Sequence, residues 1–151
     1  NIHPLDRHVL TKQLAHEIRV KRPLDCGRVG ALALNCLRLF EIRKGALVWI
    51  SLYGVFKSSE NWDLFSQYRI SLGERSQIED SPGVFGSEAE HKSLSSFIHM
   101  GLLFFWDFWI VDDTGEVVIY FDHDECCSCW CSNQQKASRI VSNLNEFGIL
   151  S

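Results

Sequence analysis

The chain has 151 residues, 46% hydrophobic and 23% charged, a composition that argues against disorder and suits one globular domain with a core of its own. The formal net charge of −4 is unevenly spread: residues 1–45 hold 9 Lys/Arg against 4 Asp/Glu and the remainder 6 against 15, so +5 precedes −9. An acidic majority disfavours nucleic-acid binding and suits a basic protein partner, and the longest apolar run, Phe97 to Val111, is broken by His99 and Asp107 and is shorter than a bilayer span of roughly 20 residues.

In residues 5–18, Val9, Leu10, Leu14 and Ile18 recur at helical spacing, which predicts a first helix ending before Pro23. Residues 31–40, ALALNCLRLF, fit helix and strand alike, whereas ALVWISLY from Ala46 is β-branched and aromatic enough for a strand, with Gly45 in the turn before it. A helix is expected next, with Ser58 and Ser59 as capping candidates, Trp62, Phe65, Tyr68 or Arg69, and Leu72 on one face, and Gly73 as the stop. Residues 74–86 read as a loop, after which Ser87 and Glu90 match a capping box opening a helix through Leu94, Phe97, Ile98 and Leu102.

From Trp106 the period changes to two. WDFWIV, the turn DDTG and EVVIYFD predict an antiparallel hairpin whose near-continuous apolar strands call for cover on both faces. Four of the six cysteines then fall within Cys126–Cys131; as a buried or edge strand, CCSCWC puts Cys127, Cys129 and Cys131 on one face and Cys126, Ser128 and Trp130 on the other. Ala137, Ile140, Val141, Leu144 and Phe147 predict a closing helix ending at Gly148. The expectation is a single α+β domain over 1–151: a small, mainly antiparallel sheet with a C-terminal hairpin, packed by about four helices.

Three chemistries are open. Zinc could be held by His123, Cys126 and Cys129 with Cys127 or Cys131 as alternative thiolates, but the only other cysteines, Cys26 and Cys36, are too far apart in sequence to form the second short ligand pair, so no cofactor is expected. A redox-sensitive thiol cluster needs exposure and nearby positive charge, which Asp122, Asp124 and Glu125 oppose. An acid/base site could form from His123 and Asp107, the latter lying among aromatic residues and requiring a proton or a partner, for which an Arg from the basic first third is a candidate. CGRVG lacks the full phosphate-binding fingerprint, and neither G-x-S-x-G nor H-E-x-x-H occurs.

The run from SSENWDLF through SPGVF to LLFFWDFWIVDDTGEVVIYFDHDE resembles small uncharacterised bacterial α+β proteins with a similar W-D, G and HDE tail, over about residues 46–125. Such small acidic proteins often accompany toxins, so the resemblance implies an immunity protein. The expected function is accordingly a non-enzymatic, cytoplasmic interaction protein that neutralises a basic toxin with Asp112, Asp113, Asp122, Asp124 and Glu125 supplying steering and aromatics supplying affinity. No basic-then-apolar leader is visible, which fits that compartment and free thiols.

Overall fold

Two-residue alternation organises this protein. The computed structural model describes residues 11–52, 62–71, 73 and 83–149. In chain order these form β1 (His16–Lys21), α1 (Cys26–Leu39), β2 (Ala46–Leu52), α2 (Trp62–Ser71), β3 (Gly83–Gly86), a 3-10 turn (Glu88–Glu90) running into α3 (His91–Leu103), β4 (Asp107–Asp112), β5 (Val117–Phe121), β6 (Cys126–Cys131) and α4 (Gln134–Glu146). The strands make one six-stranded sheet in the order β1-β6-β5-β4-β2-β3, antiparallel at every pairing, so the fold is the α+β class the sequence predicts.

One sheet face takes the helices. Val48, Ile50, Phe108, Ile110, Ile119, Cys127 and Cys129 pack there against Leu32, Cys36, Ile98, Leu102, Ile140 and Leu144 from α1, α3 and α4. The opposite face buries a second cluster of Trp109, Val118 and Trp130, with Leu14, Trp49, Val111 and Tyr120 packed on it. Both faces of β4, β5 and β6 are therefore apolar, which explains their near-continuous hydrophobic sequence. The CCSCWC strand is internal, flanked by β1 and β5.

The helix starts follow local chemistry. Asp25 accepts from the Arg28 N–H at 2.8 Å to cap α1, and Asn133 accepts from the Lys136 N–H at 2.9 Å to cap α4. Ahead of α3, the Glu90 carboxylate accepts both the N–H and the hydroxyl of Ser87, at 3.0 and 2.9 Å, as the S-x-x-E pattern predicts.

Two expectations are corrected. The predicted first helix keeps, in its described part, helical backbone only at Thr11; Lys12 and Gln13 form a turn and His16–Ile18 belong to strand β1, where Ile18 and Val20 face the core while Glu17, Arg19 and Lys21 alternate outward; residues 5–10 lie outside the described residues. Pairing of Ile18 with Cys129 and Val20 with Cys127 outweighs the accidental Leu14–Ile18 helical spacing. The predicted loop over 74–86 contains β3 in its last four residues, paired to Ala46–Trp49; its first nine lie outside the described residues, as do Ser58 and Ser59.

Gly101 shows how tightly helix meets sheet. A Cβ there would stand 2.8 Å from Phe108 Cε1, and Phe108 cannot yield because its ring stacks on Phe121 at 4.9 Å between centroids. Gly101→Ala, which would favour an isolated helix, is expected to destabilise this protein by roughly 1–3 kcal/mol. The urea-unfolding midpoint checks this, and an unchanged or raised midpoint would show that α3 can shift.

Candidate functional site at the end of the sheet

The antiparallel order brings the end of β2, the start of β4, the end of β5 and the β5–β6 turn to one end of the sheet. Phe108 pairs with Phe121, which sets Asp107 opposite Asp122 and one residue from His123. There the Asp107 carboxylate, on a residue only 7% exposed, accepts three hydrogen bonds. Its Oδ1 takes the backbone N–H of His123 at 2.8 Å and lies 2.7 Å from His123 Nδ1, while its Oδ2 takes the Tyr120 hydroxyl at 3.1 Å. Ser51 adds a bond from its hydroxyl to the Asp107 backbone carbonyl.

The two residues of the predicted acid/base pair therefore meet, and the partner of the buried carboxylate is this imidazole and a phenol. The expected Arg is elsewhere. A nitrogen–oxygen contact at Nδ1 leaves His123 Nε2 turned outward, 3.8 Å from Asp124 Oδ1, on a side chain that is half-exposed. The Asp107 hydrogen bond and charge, with smaller help from Asp124 and Asp122, raise the His123 pKa above its ordinary 6.5. Burial, then the Asp107 charge, pushes the Tyr120 hydroxyl up to about 12, so it remains a donor across the physiological range.

Arg22 builds the other half of this end. Its backbone N–H donates to the Glu125 carbonyl at 3.0 Å, its Nη1 to the Leu102 carbonyl at 3.0 Å, and its guanidinium lies 4.1 Å over the Phe105 ring. A cation on the last turn of α3 meets the negative end of the helix dipole, and the aromatic face adds a cation–π contact. Burial lowers the Arg22 pKa, opposed by the charges of Glu125 and Asp122. Phe105 and Glu125 both have left-handed backbones, φ 56° and 68°, a conformation that strains residues bearing a Cβ. Arg22 touches both.

Around these anchors the surface is mixed. Leu52, Leu103, Phe104 and Phe105 are each 42–46% exposed, beside the exposed Asp124 and the half-buried Asp122 and Glu125. The five predicted contact carboxylates do not form one patch. Asp122, Asp124 and Glu125 sit at this end, although Asp122 Oδ1 is occupied by the Cys126 N–H. Asp113 lies in the β4–β5 turn at the other end, roughly 16 Å away along β5. Asp112 is buried there, bonding the Val117 N–H at 2.9 Å and the Thr114 hydroxyl, so its side chain shapes the turn.

The candidate zinc donors do not converge. Cys129 is buried on the helical face with Cys127 and Cys131, whereas Cys126 is exposed on the opposite one and His123 is committed to Asp107. Among the described residues no group of three His, Cys, Asp or Glu is arranged to hold a metal. Burial raises the pKa of Cys127 and Cys129 well above the ordinary thiol range and that of Cys36 to about 12, which keeps these thiols protonated and inert.

Sequence reading missed Tyr120, Ser51 and Arg22. The hairpin register carries a usable signal for the first: with Val111 opposite Val118, Tyr120 falls opposite Trp109 on the face shared with Asp107. Arg22 and Ser51 have no comparable signal, because their partners come from distant segments.

Asp107→Asn is expected to move the His123 titration midpoint down towards 6.5, measured by imidazole NMR; an unmoved midpoint would assign the shift to Asp122 and Asp124. Since the folded-state value is the raised one, the His123–Asp107 pair contributes stability that is fully present below about pH 6.5 and is lost as pH rises through the raised value. Denaturation midpoints for the parent and His123→Gln should therefore differ at pH 5.5 and converge above the folded-state midpoint. At the other end, Asp112→Ala leaves the buried Val117 N–H without its acceptor and is expected to cost about 1–3 kcal/mol, while Asp113→Ala changes little.

Compared with protein-family models, with curated proteins and with solved structures, the chain matches none.

Proposed function

We propose that this protein is a non-enzymatic interaction protein of the immunity type, which neutralises a basic protein toxin with the β5–β6 end of its sheet. The observation that carries this reading is the mixed surface there: Leu103, Phe104 and Phe105 stand exposed in consecutive positions, and Arg22 links Phe105 to Glu125 in the turn that also carries the exposed Asp124. Exposed aromatics rimmed by carboxylates supply the two terms that association needs, desolvation for affinity and Coulomb attraction for encounter rate. Arg22 joins them by contacting the Phe105 ring with its guanidinium and Glu125 with its backbone. In this reading Asp107 and His123 are positioning residues: they fix the turn that presents Asp124 and Glu125. Among the described residues no helix is long and apolar enough to cross a membrane.

The test is to isolate the basic protein retained by the intact chain and measure association at low and high salt. Asp124→Asn with Glu125→Gln is expected to lower the association rate about fivefold at low salt. Phe104→Ala is expected to raise the dissociation rate roughly tenfold or more. A tight complex indifferent to salt and to both changes would remove the proposal.

A second reading rests on the 2.7 Å His123–Asp107 contact, the geometry in which a carboxylate holds an imidazole with Nε2 outward as a general base. Among the described residues, two cavities of about 550 and 290 Å³ are lined by neither His123 nor Asp107. Turnover of a panel of activated esters that disappears in His123→Ala, with the fold retained by circular dichroism, would reverse that order.

A further inference from the structure

Strand β1 is one edge of the sheet, and among the described residues no strand pairs with its outer side. Which of its residues face that side follows from the ladder on the inner one. The Arg22 N–H donates to the Glu125 carbonyl one step beyond the Lys21–Cys126 pair, so Arg22 and Glu125 form a hydrogen-bonded pair. Counting back by twos, Val20, Ile18 and His16 bond β6, whereas Glu17, Arg19 and Lys21 direct their N–H and C=O groups outward. The other side of β6 agrees. Ser132 donates to the Glu116 carbonyl and Asp122 to the Cys126 carbonyl, so the even-numbered residues from Cys126 to Ser132 bond β5 and the odd-numbered ones bond β1.

The same three residues carry the charges of the strand, exposed on the sheet face opposite the helices: negative at Glu17, positive at Arg19 and Lys21. A row of one sign would repel a second strand, which is a usual protection of an edge. This row is mixed and complements itself. Laid antiparallel on a second copy with Ile18 on the two-fold axis, Glu17 of each copy falls opposite Arg19 of the other, in hydrogen-bonded register. Glu17 pairs with Arg19 of its own strand at 2.8 Å, so four charges alternate in sign around the axis. Neighbouring registers are worse: centring on Glu17 or on Arg19 sets that residue against its own copy, and centring on Val20 sets Arg19 against Lys21 twice. On the helical face the favoured register brings Ile18 to Ile18 and His16 to Val20, all half-buried in the single chain. The opposite edge of the sheet has no such pattern, because β3 is four uncharged residues, two of them glycine.

We infer that a second copy of this chain docks on β1 edge to edge, joining the two sheets into one through a two-fold pairing centred on Ile18. A strand-edge contact of this length is smaller than a permanent interface, so the dimer is reversible and concentration-dependent. The inference stands apart from what the β5–β6 turn binds.

Sedimentation equilibrium of the intact chain is expected to show the mean mass rising with concentration from one chain towards two. Amide hydrogen exchange identifies the surface: exchange at the Arg19 N–H should slow with concentration, while Ile18 and Val20, bonded to β6, stay protected throughout. Glu17→Arg and Arg19→Glu, each checked for folding by circular dichroism, should each weaken the dimer about tenfold, since two cross-strand pairs change sign, and the two changes together should restore it. A chain still single at roughly 1 mM would leave the edge to a strand of another protein and overturn the inference. So would a dimer in which the Arg19 N–H exchanges at one rate at every concentration, or a folded double variant that does not dimerise.

Discussion

A carboxylate taken out of water must be paid for by partners, and Asp107 finds all of its partners in the strand beside it and in the turn that follows. Three donors from Tyr120 and His123 converge on it at the head of β4. The same bonds fix where the β5–β6 turn leaves the sheet. The direction in which Asp124 and Glu125 leave the sheet follows from that single buried side chain.

Arg22 does the complementary work from β1's far end. Its guanidinium bonds a terminal carbonyl of α3 and covers Phe105, while its backbone holds Glu125. The two strained residues at this end are thus held by one residue, Arg22, from a segment distant in sequence.

What could be read beforehand was local. The β4–β5 hairpin, the capping box ahead of α3 and the thiol alternation in β6 are each encoded within a dozen residues by spacing and turn chemistry, and each stands as expected. The edge strand β1 was not legible because Leu14 and Ile18 satisfy a helical period while only Ile18 and Val20 satisfy the strand period. β3 was hidden because it consists of four residues, two of them glycine. The meeting of His123 with Asp107 depends on hairpin register, and that of Arg22 with Leu102 on tertiary packing, so residue type alone pointed to the candidates without pairing them.

Four of the six thiols, Cys36, Cys127, Cys129 and Cys131, are sealed between the sheet and the helices. Their protection is a property of the closed state alone. Each global opening releases several mutually accessible thiols at once, and in an oxidising medium a wrong bridge formed during that interval would bar reclosure. The working lifetime of the protein outside a reducing environment is then governed by how often it opens, a rate, rather than by how stable it is at equilibrium.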